Sequence, residues 1–312
     1  MRASVSRIVV LACMFAALTS GCAPVVRSLP LESQSFVALE ASEEELLGKL
    51  RAMSAAVRTI SADVVYAVST MPAQAGSEPV EQREYGPFRG VLIARLPSQI
   101  RMQADTNVPL SLITAFDMVS RDGEFRLSIP TDGKFIYGPN DAKLEDPNPM
   151  YNLRPHHVLQ AMFIDIRPYL ASSDFELSFE EDGPRFYTFS FDDRRDGNGQ
   201  TVEKIWVDRQ DLEVSRRQLF DVDGCLDMDV QYAVHQMVDG VMYPQLIVVD
   251  RPLDGTSIKI DFQPDTHFNV EIDEAVAFQL AFLSGAESIE VGGTEGPEVD
   301  DAGSVEVNCS TS

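Results

Sequence analysis

Histidines and cysteines, four of each, are the side chains best suited to nucleophilic, acid–base or metal chemistry in this chain. His156 and His157 are adjacent, so on a helix they would point about 100° apart and could not share a metal as an i, i+4 pair could. His235 and His267 lie far away in sequence. Cys225 follows a turn and has no neighbouring histidine to activate it. We therefore interpret the histidines as surface or packed side chains, and Cys225 as a buried or turn cysteine.

Two oxygen-rich segments have some features of calcium loops, residues 192–199 (DDRRDGNG) and residues 221–224 (DVDG). Both lack the alternating oxygen ligands that end in a distal glutamate, so we interpret them as solvated hairpin tips. The sequence also contains no Gly-x-Ser-x-Gly, Walker or Rossmann pattern. We predict no catalytic residue, no metal site and no cofactor, with a hydrolase of unrecognised site as the remaining enzymatic alternative.

The first residues have the three zones of an export signal. Arg2 and Arg7 make the start positive, and residues 8–18 form an uninterrupted apolar run of 11 residues. A helix needs roughly 20 apolar residues to span a bilayer, so this run is too short for a transmembrane anchor. Small residues then lead to Cys22 in the sequence Leu-Thr-Ser-Gly-Cys.

The segment that ends at Cys22 resembles the lipobox of bacterial lipoproteins. The resemblance implies that the thiol is diacylated, that residues 1–21 are removed as a signal peptide, and that the new amino group is acylated. Three acyl chains would anchor the protein stably in a membrane. Ala23 is typical of lipoproteins that Gram-negative bacteria sort to the outer membrane, where the domain would face the periplasm or the exterior. The alternative is an ordinary signal peptide with a chance cysteine.

The charge of the chain limits its partners. Removal of residues 1–21 takes two arginines from the 25 basic residues and none of the 49 acidic residues, so the mature chain has a formal charge of −26. So acidic a chain will not bind nucleic acid or anionic headgroups through its bulk charge. With Cys13 removed and Cys22 acylated, only Cys225 and Cys309 could form a disulfide. Cys309 lies in a segment that we predict to be disordered, so the sequence favours no bridge.

The organisation of the chain predicts one folded domain over residues 40–283, where apolar periodicity is continuous. Residues 22–39 form a tether without periodicity. Residues 284–312 are rich in Gly, Glu, Asp and Ser and have almost no large apolar side chains. They cannot bury enough surface to offset their ordering entropy, which predicts an acidic disordered tail.

Strict alternation of apolar and polar residues predicts strands with one buried face. The clearest examples are residues 100–104, 125–129, 175–179, 226–234 and 258–262. Six Asp-Gly pairs lie between apolar runs, and Asp-Gly readily adopts the positive φ angles of tight hairpins. Six such turns at short spacing predict an antiparallel meander. The pairs begin at Asp122, Asp132, Asp182, Asp223, Asp239 and Asp254.

Two helices are predicted beside the strands. Ser42 and Glu45 have the spacing of a capping box, which marks the start of the first helix. An apolar stripe follows it, formed by Leu46, Leu50, Met53, Val57 and Ile60. Pro155 suits the first turn of a second helix, whose apolar face comprises Val158, Leu159, Met162 and Phe163. This second helix interrupts the series of strands midway.

The order of a helix, about five strands, an inserted helix and five or six further strands resembles the LolA/LolB superfamily of lipoprotein carriers and receptors. Residues 88–97 (FRGVLIARLP), followed by residues 100–102 (IRM), are similar to a Gly-x-Leu-x-x-x-x-Pro phrase of that superfamily. Residues 238–244 (VDGVMYP) are similar to part of its second half. The resemblance covers residues 40–265. It implies a mainly β, α+β fold, in which a strongly curved antiparallel sheet forms an incomplete β-barrel of about 10–11 strands covered by helices.

The same resemblance implies an apolar cavity that accepts acyl chains. Aromatic and methionine side chains on the inward face of the strands could line a deformable pocket of this kind. The candidates are Met102, Phe175, Phe179, Phe189, Met228 and Phe262. The alternative is that these side chains pack as a filled core.

These features lead to a functional hypothesis. The chain is predicted to be a non-catalytic, membrane-anchored lipoprotein that binds a lipid or an acyl chain and serves envelope lipid or lipoprotein trafficking. Its expected partners are the membrane, through the acyl chains on Cys22, and a lipid or lipoprotein acyl ligand. The alternative is an envelope sensor or protein-interaction module with a filled core.

Overall fold

The computed structural model describes residues 37–70, 83–108, 111–142, 144, 148–195, 197 and 199–292, and its strands form one curved, unclosed sheet. The first half of the chain contributes β1 Thr59–Thr70, β2 Glu84–Arg95, β3 Gln99–Val108, β4 Ser111–Arg121, β5 Glu124–Ile129 and β6 Lys134–Pro139. The second half contributes β7 Phe175–Asp182, β8 Phe186–Asp193, β9 Gln200–Asp208, β10 Val214–Phe220, β11 Leu226–Val238, β12 Val241–Arg251, β13 Thr256–Phe268 and β14 Glu287–Glu290.

The sheet consists of two antiparallel meanders, β1–β6 and β7–β13, that join where β1 pairs with β13. The six Asp-Gly pairs all connect consecutive strands of these meanders, as the sequence predicts. Asp122 and Asp239 have φ angles of 53° and 46° and are each followed by a glycine with positive φ. This backbone matches the twist of tight hairpins. The mainly β, α+β fold class is therefore confirmed.

Four α-helices accompany the described strands: α1 Glu43–Ala56, α2 Pro155–Met162, α3 Arg167–Ala171 and α4 Glu274–Ala277. Ser42 caps α1 by accepting a hydrogen bond from the backbone N–H of Glu45, as predicted. The apolar stripe predicted for this helix is too long at its C-terminal end, because α1 ends at Ala56 and Ile60 lies in β1. The side chain of Asn269 accounts for this early end, since it donates to the carbonyl of Ala56 and accepts from the N–H of Arg58.

The number of strands in the described residues exceeds the predicted 10–11. One reason is that β9 and β10 hide a charged pair inside the barrel, Glu203 and Arg217, which breaks the apolar alternation that reveals strands in a sequence. Another reason is β14, which lies in residues 284–312, the segment predicted to be a disordered tail.

Residues 284–292 correct that tail boundary, because β14 pairs in parallel with β6. The backbone N–H of Val291 donates to the carbonyl of Tyr137, and Val291 is buried. A Cβ atom at Gly138 would lie 2.2 Å from the Val291 carbonyl oxygen. The edge of β6 therefore accepts the returning chain because residue 138 is a glycine. The remainder of the predicted tail lies outside the described residues.

The main hydrophobic core lies on the face of the sheet that α1 and α2 cover. A second, smaller cluster lies on the opposite face, where Phe278 and Leu280 pack against Val119 and Phe135. Arg101 and Arg126 donate to carbonyls of the covering segment, at Ala277 and Leu280. The chain that follows β13 thus covers part of the outer face before it forms β14.

The described residues from Ala38 to Gly292 belong to one compact unit. The end of the predicted tether contacts this unit, since the N–H of Leu39 donates to the carbonyl of Arg209 at 2.7 Å. The predicted signal peptide, Cys22 and most of the tether lie outside the described residues. Cys225 is disulfide-bonded, which differs from the isolated cysteine predicted from sequence. Among the helices of the described segments, none has the length and apolarity needed to cross a membrane.

Candidate functional site

An apolar pocket of about 590 Å³, counting the part open to solvent, lies beside the C-terminal end of α2. Five segments form its wall: the last turns of α1, the turn after β2, the end of α2 with the chain that follows it, the start of β10, and the hairpin of β11 and β12. Its lining residues are Met53, Ser54, Val57, Leu96, Met162, Phe163, Ile164, Asp165, Glu213, Val214, Tyr232, His235, Val241, Met242, Tyr243 and Pro244. Most of these side chains are aliphatic or aromatic, which suits an apolar ligand.

The hydroxyl groups in this wall already have hydrogen-bond partners. Ser54 Oγ lies 2.8 Å from the carbonyl oxygen of Ile164 and 2.9 Å from that of Leu50. The described chain contains three buried side-chain atoms without a hydrogen bond, and none of them belongs to a residue of this pocket. An apolar ligand could therefore contact Ser54, Tyr232 and Tyr243 without leaving their hydroxyls unsatisfied.

Three side chains from the sheet hold the C-terminal end of α2 above this pocket. Arg217 Nη1 donates to the carbonyl of Gln160 at 2.7 Å. Tyr232 donates to the carbonyl of Ala161 at 2.7 Å, and Tyr243 donates to the carbonyl of Met162 at 3.2 Å. The last carbonyls of a helix lack partners within the helix, so these donors from β10, β11 and β12 replace the missing bonds. The positive charge of Arg217 also suits the negative end of the helix dipole.

Arg217 is itself fixed by a fully buried ion pair with Glu203. Its Nε and Nη2 atoms donate to the two carboxylate oxygens at 2.7 and 3.0 Å. The side chains of Arg217 and Glu203 are 5% and 0% exposed. Burial lowers the pKa of the Arg217 guanidinium, but the charge and hydrogen bonds of Glu203 more than offset this effect, and the pKa is raised overall. Arg217 is therefore charged, and its carboxylate partner holds it where it can bind the C-terminal end of α2.

A polar pocket of about 790 Å³, again counting the open part, lies at the N-terminal end of α2. Its lining residues are Asn140, Asp141, Ala142, Asn152, Arg154, His156, His157, Gln160, Asp221, Asp227, Arg251, Leu253 and Asp254. Arg251 bridges Asp227 and Asp254, at 2.5 and 2.9 Å. The two ends of one short helix thus border pockets of opposite chemical character.

Arg154 is buried at the edge of the polar pocket and is satisfied by backbone carbonyls. Its guanidinium donates to the carbonyl oxygens of Ala142, Tyr151 and Leu153 at 2.7–3.1 Å. It also lies 3.9 Å from the centre of the Phe125 ring, a cation–π contact. Burial lowers the pKa of Arg154 to about 10. Arg154 stays protonated near neutral pH and ties the start of α2 to the loop before it.

His156 follows in the first turn of α2 and is neutral near pH 7. Burial lowers its pKa to about 4, and the charges of Arg251 and Arg154 act in the same direction. Its Nδ1 atom is buried and has no hydrogen-bond partner in the described part of the chain. The ring centre lies 3.9 Å from that of His157. Within the described residues, no three His, Cys, Asp or Glu side chains are placed to hold a metal ion.

The six residues predicted to line a cavity lie elsewhere than in the apolar pocket. Met102, Phe189, Met228 and Phe262 are completely buried in the core, at 0–1% exposure. Phe179 packs on Phe189 and Tyr187, with ring centres 5.0 and 5.6 Å away, and Phe175 packs edge-on against Tyr169. Met102 also borders a smaller pocket between α2 and the sheet.

Sequence reasoning missed most of the apolar pocket because its wall is assembled from separate segments. Met53 and Val57 belong to the predicted stripe of α1, and Met162 and Phe163 belong to the predicted face of α2. The apolar faces of α1 and α2 are therefore the only features of the described pocket that the sequence pattern indicates. Another part of the wall comes from the β11–β12 hairpin, whose approach to the helices no local pattern reveals.

Comparisons with known proteins give no match to any family profile and none to a curated protein. Three solved structures are similar to the chain in fold. A DUF1329 family protein from Desulfovibrio piger is 12% identical, over 75% of this chain and 96% of its own, with a TM-score of 0.47. A LolA superfamily protein from Nitrosomonas europaea is 11% identical, over 77% and 99%, with a TM-score of 0.44.

The third structure is a domain from Vibrio parahaemolyticus named for outer membrane lipoprotein sorting. It is 12% identical, over 74% of this chain and 94% of its own, with a TM-score of 0.43.

Proposed function

We propose that this chain is a non-catalytic outer-membrane lipoprotein, anchored through Cys22, that binds an acyl chain of a lipid or lipoprotein in the apolar pocket beside α2. The pocket itself carries the proposal. Its wall is mainly aliphatic and aromatic, and its hydroxyls are occupied. Its own free space is small, about 40 Å³, so an acyl chain would enter as the wall opens. An acyl chain needs an apolar wall and offers no hydrogen bonds in return.

The charged residues of the wall are compatible with such a ligand, because they pair at its edge. Asp165 forms two hydrogen bonds with the Arg167 guanidinium, at 2.6 and 2.7 Å. Glu213 accepts from Lys49 Nζ at 2.6 Å. A chain that enters between these pairs meets Met53, Val57 and Phe163 rather than unpaired charge.

The part of the wall that would move to admit a ligand is the chain that follows α2. Phe163 and Ile164 contribute to the pocket, and three side-chain hydrogen bonds to α2 carbonyls hold the helix end just before them. Each such bond contributes on the order of 1 kcal/mol, or somewhat more from a charged donor. Opening this end would widen the pocket at modest cost while the sheet stays intact.

A blocking substitution tests acyl binding. Met53 lines the pocket and is partly buried, whereas Ala55, two residues along α1, is exposed. We expect Met53→Trp to fill the pocket and weaken binding of a fluorescent 16-carbon fatty acid at least tenfold. Ala55→Trp places the same ring on the solvent face and should leave binding unchanged. Equal binding by both variants would place the ligand elsewhere or exclude this function.

The anchor requires a separate measurement. Intact-mass analysis of the mature protein should give a chain that begins at Cys22 and carries three acyl groups. Cys22→Ser should abolish this modification and release the protein from membranes into the soluble fraction. A processed chain without acyl groups would support the ordinary signal peptide instead.

The alternative function, an envelope sensor or interaction module with a filled core, draws support from the tight packing of Met102, Phe189, Met228 and Phe262. Native mass spectrometry of the purified protein separates the two functions. Copurified lipid that Met53→Trp removes favours the acyl-binding function. Lipid-free protein that also fails to bind the fluorescent fatty acid favours the interaction module.

A further inference from the structure

A cation, Arg58, lies next to the lining of the apolar pocket, although the chain as a whole is strongly acidic, with a net charge of −24. Two acidic residues, Asp165 and Glu213, belong to the pocket lining. Each is matched by a base, since Arg167 pairs with Asp165 and Lys49 pairs with Glu213, both at 2.6 Å. The two negative charges of the lining are therefore neutralised by Arg167 and Lys49.

Arg58 adds a cation to this balanced edge. It directly follows Val57, which lines the pocket, and its carbonyl accepts from the N–H of Leu96, another lining residue, at 3.0 Å. Its own N–H donates to Asn269 Oδ1 at 2.8 Å. The backbone of Arg58 is thus fixed on both sides at the pocket, while its side chain is exposed.

The guanidinium of Arg58 makes no ion pair and no hydrogen bond with any residue that the structure describes. Its positive charge nevertheless affects Asp165, a residue of the pocket lining. The pKa of Asp165 is lowered first by the hydrogen bond from Arg167, and the charge of Arg58 contributes to the same effect. Arg58 is therefore an exposed cation next to the pocket lining, and its side-chain donors are available within the part of the chain that the structure describes.

We infer that the acyl ligand has an anionic headgroup, a carboxylate or a phosphate, which Arg58 binds at the edge of the apolar pocket. The inference rests on the proposed acyl-binding function and specifies its ligand class. A guanidinium matches both oxyanions with two parallel hydrogen bonds. The net negative charge of the chain repels anions in general, so recognition depends on this local cation. An anionic amphiphile would place its chain along Val57 and its headgroup at Arg58.

Two ligands of equal chain length test the charge. Hexadecanoate and hexadecanol would be titrated into the mature protein at pH 8 in low salt, by displacement of the fluorescent fatty acid. We expect hexadecanoate to bind about threefold to fivefold more tightly, as for a partly exposed ion pair. Arg58→Gln should remove this preference and leave hexadecanol binding unchanged. Arg51→Gln, which removes an exposed arginine from α1, serves as the matched control and should preserve the preference.

The outcomes separate this inference from the function on which it rests. If neither compound binds, the acyl-binding function itself fails. If both bind equally well to the unmodified protein, or if Arg51→Gln acts as strongly as Arg58→Gln, the anionic-headgroup inference fails while acyl binding stands. Palmitoyl-lysophosphatidylglycerol distinguishes the two headgroup sources. Tighter binding than hexadecanoate, lost in Arg58→Gln, identifies a phosphate, whereas the reverse order identifies a carboxylate.

Discussion

The two ends of α2 are held by different means, although the helix is only eight residues long. At the N-terminal end, Arg154 reaches out from the helix start and binds carbonyls of the loop before it, at Ala142 and Tyr151. At the C-terminal end, Arg217 and two tyrosines reach in from the sheet and bind carbonyls of the helix. The N-terminal end is thus tied to its own loop, and the C-terminal end depends on three strands.

This difference bears on where a ligand can enter. At the N-terminal end the pocket is lined mainly by polar residues, and the bonds of Arg154 do not cross an apolar space. At the C-terminal end the bonds cross the edge of an apolar pocket, so their loss would expose Phe163 and Ile164. We therefore expect disruption of the C-terminal contacts to alter ligand access, and disruption of the N-terminal contacts to alter stability alone.

The largest expected effect follows from Arg217→Met, which removes the buried partner of Glu203. An uncompensated carboxylate at 0% exposure should cost about 3–5 kcal/mol in the free energy of unfolding. The loss of the bond to Gln160 should also loosen the end of α2. Urea denaturation monitored through Trp206, the single tryptophan, measures the loss of stability.

A double variant identifies the source of this loss. Arg217→Met with Glu203→Gln leaves no buried unpaired charge, so most of the stability should return. If the double variant is as unstable as Arg217→Met alone, the carbonyl of Gln160, rather than the carboxylate, accounts for the loss.

Much of the fold was predictable because its signals are local. An Asp-Gly pair specifies a tight turn through its own φ angles, and all six pairs join consecutive strands. The alternation in β13 shows directly which face of the strand is buried. In β11 the prediction holds for Met228, Val230 and Tyr232 but is wrong for Val234, which is 62% exposed and has a positive φ angle. Ser42 marks the start of α1 for a similar reason, since its cap partner is three residues away.

The candidate site was less predictable because its contacts join distant residues. Arg217 lies 57 residues from Gln160, and Ser54 lies 110 residues from Ile164. In the sequence, Arg217 follows Arg216 and resembles an ordinary surface charge. Likewise, β14 has a polar sequence and is a strand only because β6 offers it an edge. Such features depend on the tertiary arrangement and leave no periodic pattern.

An intermediate effect is expected at the polar end, where His156 couples stability to pH. Its pKa of about 4 in the folded protein lies below the ordinary value of 6.5. Between these values the unfolded chain binds more protons, so the stability contributed by neutral His156 falls as the pH drops from about 6.5 to 4. The full contribution is at most about 3 kcal/mol.

Urea denaturation at pH 7 and pH 4.5 measures this loss. The His156→Gln variant, which has no titrating ring, should lose less stability between the two pH values than the unmodified protein. His267→Gln removes an exposed histidine and should behave like the unmodified protein. Parallel losses in all three proteins would show that carboxylates, rather than His156, determine the acid sensitivity. Ligand affinity at pH 7 should be the same in all three.

The smallest effect, and the one most specific to the apolar end, is expected from Tyr232→Phe and Tyr243→Phe. Each removes one hydroxyl that binds a terminal carbonyl of α2 and should cost about 1 kcal/mol. Tyr66→Phe is a matched control, because the Tyr66 hydroxyl also donates to a carbonyl, that of Val91 at 3.0 Å. All three variants should therefore lose similar stability.

Only Tyr232→Phe and Tyr243→Phe should speed hydrogen exchange at the Phe163 amide, which donates to the carbonyl of Leu159. The same two variants should accelerate fatty-acid association. Equal acceleration in Tyr66→Phe would mean that general loosening of the barrel, rather than release of the α2 end, controls entry.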